Sequence, residues 1–155
     1  MYDYNPISIK ISGLISPLGF SLNDAVKRLE SGISGLSKSD RIKGFEDFYL
    51  GHINELPIEG KFDYLLELGL TDIEKENKHL CLSDDTILIL STSKADISSL
   101  PVNPFKYLQD KVQKRLRLSH KPLIISNACI SGVLAINVGA DLIKSSSVFH
   151  AFFDL

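Results

Sequence analysis

Only two of the 155 residues are cysteine, Cys81 and Cys129, too few for the disulfide framework that staples small secreted domains. Basic excess is also lacking: 17 Lys and Arg stand against 19 Asp and Glu, a formal net charge of −2. Without a positive field there is little to hold a polyanion or an anionic bilayer surface, which argues against nucleic-acid and polybasic membrane attachment. No apolar run approaches the roughly 20 residues needed to span a bilayer. The opening Met1-Tyr2-Asp3-Tyr4 is acidic and aromatic, unlike a signal peptide. Internal repeats and low-complexity tracts are missing too. The expectation is a cytoplasmic protein with no membrane or nucleic-acid partner.

What remains is ordinary globular composition, 44% hydrophobic and 23% charged, long enough for a single domain over residues 1–155 with its own core. Residues 7–13 alternate apolar and polar, the period of a half-buried strand, and Ser16-Pro17-Leu18-Gly19 turns the chain. Ser21 three residues before Asp24 reads as a helix start, with Ala25, Val26 and Leu29 on one face and Gly32 as the stop. Ser31 to Lys43 lacks a period and reads as surface loop, and a strand is expected within Phe45 to Ile53. Phe62, Leu65, Leu66, Leu70 and Ile73 recur at helical spacing. Gly69 interrupts them at a cost of about 1 kcal/mol. Glu74 to Asn77 reads as a solvated turn or helix end.

Thr86-Ile87-Leu88-Ile89-Leu90 is continuously apolar, the mark of a strand covered on both faces, and Ser91-Thr92-Ser93 closes it. Asn103-Pro104 is an N-cap followed by proline at the first helical position, opening a helix to about Leu118. Lys111, Lys114, Arg115 and Arg117 fall in its later part and read as a solvated face matched to the helix dipole. Pro122 to Ser126 predicts another buried strand, Ile130 to Lys144 a helix, and Val148 to Phe153 a last strand. Strand, helix, strand with covered strands implies a parallel crossover and an α/β layered fold.

Cys129 lies where a buried strand meets a helix, in Ser126-Asn127-Ala128-Cys129-Ile130-Ser131-Gly132. Ligands collect at the carboxyl ends of strands in open α/β sheets, and a helix N-terminus sets free amides and positive partial charge nearby. Such surroundings favour thiolates and can stabilise the oxyanion of an acyl-transfer intermediate. Gly132 leaves room for close approach on the first turn. The alternative is that Cys129 is a small buried hydrophobe. The helix that follows carries small residues at Gly132, Ala135, Gly139 and Ala140. Apolar residues cover most of the rest, so it is expected to be buried between layers. Cys81, in Leu80-Cys81-Leu82, reads as a structural thiol.

Ala128-Cys129-Ile130-Ser131-Gly132, after a buried strand and before a small-residue helix, resembles the nucleophile motif of the β-ketoacyl synthases, condensing enzymes of the thiolase fold. Ile11-Ser12-Gly13-Leu14-Ile15-Ser16-Pro17-Leu18-Gly19 and Ser31-Gly32-Ile33-Ser34-Gly35-Leu36 look like that family's amino-terminal stretch, and Ile87 to Lys94 like its next central strand and loop. The resemblance runs over the whole chain as the amino-terminal half of the family fold. It implies a mixed, largely parallel sheet with a buried central helix, and a carboxy-terminal half that this chain does not contain.

The resemblance implies acyl transfer and decarboxylative condensation in fatty acid or polyketide-like biosynthesis. Cys129 would take the acyl group from the phosphopantetheine thioester of an acyl carrier protein, its own amide contributing to the oxyanion hole. No cofactor or metal is implied beyond that carried substrate. Two family histidines, a lysine and a second oxyanion donor belong to the other half. His52, His79, His120 and His150 match none of those motifs and read as structural or exposed. Asn127 stands where Thr or Ser is usual, and Ile130 is bulkier than the usual Ala, Ser or Thr. The apolar last strand presents an edge, so self-association is expected, and the resemblance implies a homodimer or a heterodimer with a ketosynthase-like subunit. The alternative reading is a non-catalytic dimerisation or carrier-protein-binding subunit, in the manner of chain-length factors. A free-standing cysteine hydrolase would need a His set against Cys129, and no motif supplies one.

Overall fold

The structure is a computed structural model that describes residues 7, 13–39, 48–53, 56–57, 59–81, 83–93, 103–145 and 150–154. It is mixed α/β, with four α-helices, a two-stranded antiparallel sheet and a three-stranded parallel sheet among the described residues. The chain forms two compact units, Ser8–Leu65 and Leu66–Leu155 with Met1–Ile7.

In the first unit the Ser16 to Gly19 turn is closed by reciprocal backbone hydrogen bonds of 2.9 and 3.0 Å between those two residues. Gly19 takes a φ of 143°, which a side chain would resist. Helix α1, Leu22–Glu30, begins as its sequence predicts: Ser21 Oγ accepts from the Asp24 amide at 3.1 Å and donates to Asp24 Oδ2 at 2.8 Å. Of the expected apolar face only Ala25 is buried, while Val26 and Leu29 remain exposed. The segment read as loop from Ser31 to Lys43 contains strand β1, Leu36–Ser39. It pairs antiparallel with β2, Phe48–Gly51, the strand expected within Phe45 to Ile53. Leu-Ser-Lys-Ser has one apolar residue and no strand signature. Its conformation is set by the partner strand rather than by its own pattern. Pro17 lies against the two strands where Gly35 and Gly51 leave space: a Cβ at either glycine would meet the proline ring at 3.2 and 3.1 Å. The strand expected over residues 7–13 falls mostly on 8–12, outside the described residues.

Helix α2, Lys61–Cys81, runs from the first unit into the second and is longer than the apolar spacing indicates. It continues through Gly69 and through the charged patch Glu74 to Asn77, so the turn expected there is not formed. Leu70 is wholly buried. Arg115, expected on a solvated face, reaches across instead: Nε donates to Glu67 Oε2 at 2.9 Å and Nη1 to Glu74 Oε2 at 2.8 Å. These bonds, Glu74's first, raise the guanidinium above its ordinary value. Two carboxylates seven residues apart share one face of α2, and one guanidinium spans them.

The second unit is built on β3, Thr86–Ser91, at the centre of a sheet ordered β4-β3-β5, with β4 Leu123–Ile125 and β5 His150–Asp154 both parallel to it. Leu88, Ile89 and Leu90 are almost fully buried, as the unbroken apolar run requires. Each such side chain contributes about 1.5–3 kcal/mol. Helix α3, Pro104–Leu116, starts at Asn103, whose Oδ1 accepts from the Lys106 amide at 3.0 Å. It buries Leu108, Val112 and Leu116 and ends at Arg117 in the left-handed region, φ 55°. Gln109 Nε2 donates to the Pro122 carbonyl at 2.8 Å, tying the helix to the entry of β4.

Helix α4, Ser131–Lys144, packs on this sheet through Ser131, Ala135 and Gly139, a stripe at four-residue spacing whose small side chains let the helix come close. It is not buried all round, as its hydropathy predicts: Val133 is 65% exposed and Ile136 46%. A single sheet covers one face only. Overall hydropathy does not say which face that is; the small-residue stripe does.

Candidate functional site

The carboxyl end of β4 leads through Ser126 and Asn127 into one turn of 3-10 helix, Ala128–Ile130, and directly into α4. Asn127 has φ −147° and ψ 58°, and Ala128 swings into the left-handed region at φ 45°. That reversal turns an outgoing strand into an incoming helix within three residues. For an alanine it costs about 1–2 kcal/mol, so neighbours must enforce it.

Ser131 does so. It is 4% exposed, and its Oγ accepts from the Asn127 amide at 2.7 Å and donates to the Ala128 carbonyl at 2.8 Å. The Ile130 amide closes the turn on the Asn127 carbonyl at 3.2 Å. Ser131 thus straps both sides of Cys129, a role its place in the motif does not announce. The available signal is a Ser four residues after Asn at a helix entry, where side chains commonly satisfy free amides.

Cys129 itself is exposed and free, at the crest of the strapped turn. Its amide donates to no backbone carbonyl among the described residues, as geometry dictates in the first turn of a helix. An exposed sulfur, a free amide on the same residue and the positive end of α4 together suit nucleophilic acyl transfer, in which negative charge builds on a carbonyl oxygen. Ile130, 56% exposed, adds an apolar surface beside the thiol. The sheet side is held in place too, since the Thr92 amide donates to the Ile125 carbonyl at 3.0 Å. Ser91, buried at the carboxyl end of β3, has no partner for its hydroxyl among the described residues.

The four histidines stand on separate parts of the chain. Exposed His120 has Nε2 2.7 Å from the Asp84 carbonyl, and His79 is exposed on α2. His52 lies in the Ser8–Leu65 unit, and His150 begins β5. Cys81 is the last residue of α2, ahead of β3. Among the described residues no three His, Cys, Asp or Glu side chains converge to hold a metal ion. No described helix is long and apolar enough to cross a membrane.

These features define an α/β protein with a free thiol presented where a parallel strand enters a helix. Comparison with protein-family models, curated proteins and solved structures finds no match.

Proposed function

We propose that the chain is the nucleophile-bearing part of a β-ketoacyl-synthase-type enzyme with a thiolase-like layered fold. The observation that supports this reading most is the exposed Cys129, on a strapped turn between a parallel strand and a small-residue helix, with its own amide free. The sequence resemblance around Cys129 and around Pro17-Leu18-Gly19 adds to it.

In this reading the Cys129 thiolate attacks the thioester carbonyl carbon of an acyl group carried on the phosphopantetheine of an acyl carrier protein. A carbon–sulfur bond forms, the carbonyl electrons move to oxygen, and the Cys129 amide donates to that oxyanion. Collapse expels the pantetheine thiolate and leaves the acyl group on Cys129, with no redox change. Decarboxylative condensation then needs histidines, which the resemblance assigns to the family's second half, in a homodimer or a heterodimer with a ketosynthase-like subunit. The setting is cytoplasmic fatty acid or polyketide-like biosynthesis.

Intact-mass measurement after incubation with an acyl carrier thioester tests the step. A single acyl adduct is expected on the parent protein and none on Cys129→Ala. No Cys129-dependent adduct, with or without a candidate second-half subunit, overturns the proposal.

The outward apolar residues Ile130, Val133 and Ile136 favour a second reading, a non-catalytic dimerisation or carrier-protein-binding subunit. Dimerisation or carrier binding without acylation distinguishes it, and a stable monomer with no carrier affinity counts against it.

A further inference from the structure

We draw no further inference here: the strongest candidate, the outward apolar patch formed by Ile130 of the Cys129 turn with Val133 and Ile136 of α4, carries nothing because nothing in the structure shows what covers it.

Discussion

Replacing Ser131 by Ala removes the strap on the Cys129 turn and nothing else of comparable size. The hydroxyl makes two hydrogen bonds, 2.7 Å from the Asn127 nitrogen and 2.8 Å from the Ala128 oxygen. At about 0.5–1.5 kcal/mol net for each, their loss costs roughly 1–3 kcal/mol. Two effects reduce this. Asn127 and Ala128 are exposed, so the freed amide and carbonyl pass to water and are not stranded. Alanine is also the better helix former by about 0.5 kcal/mol. The expected net loss is therefore about 1 kcal/mol, which with a urea m-value near 2 kcal/mol/M lowers the midpoint by about 0.5 M. Ser31 provides the comparison: its Oγ donates to the Lys27 carbonyl at 2.8 Å on the exposed end of α1. Ser31→Ala should stay within about 0.5 kcal/mol of the parent. Urea titrations of the three proteins decide the matter, and a Ser131→Ala midpoint equal to or above the parent's would refute the strap.

Ala128→Gly should raise stability by about 0.5 kcal/mol, because relief of the left-handed conformation slightly exceeds the entropy glycine loses; a lower midpoint in the same titration would show that the turn is not strained. Arg115→Ala should cost about 1 kcal/mol at low salt, a modest figure because Glu67 and Glu74 are themselves part exposed. That cost should shrink at 1 M salt, where the screening length is about 3 Å. A raised guanidinium value contributes stability below its unfolded value and loses it only above the raised one, so the difference from the parent should stay flat between pH 7 and 10; a steady fall over that window contradicts it. On α4, Ala135→Leu, facing the sheet at 1% exposure, should destabilise by about 1–3 kcal/mol. Val133→Ser should be nearly neutral, and thermal melts giving the reverse order would mean that the helix faces are misassigned.

Punctuation was legible wherever the cause is local. Asn103-Pro104 and Ser21 with Asp24 carry their caps in their own side chains, and both helices begin there. The β3 run was legible because burial on both faces leaves no polar position to disguise it. β1 was not, since its only recommendation is the register it keeps with Phe48 to Gly51. The carboxyl half of α2 was hidden in Glu-Lys-Glu-Asn, polar residues whose helical state is supported by a guanidinium some forty positions away. At the site, the position of Cys129 followed from strand and helix signals on either side. The left-handed Ala128 and the Ser131 strap did not, because they answer to the geometry of the turn and not to any periodicity.

The sheet order has a consequence for how this chain reaches its native state. β3 lies in the middle, yet both of its partners are made later: Ile89 must find Leu123 and Thr86 must find His150. Each pairing closes a long loop before any ladder bond rewards it, so the second unit should fold slowly for its size. Until β5 arrives, the buried, largely apolar β3 has one edge open. Aggregation during synthesis or refolding should therefore centre on Ile87 to Leu90.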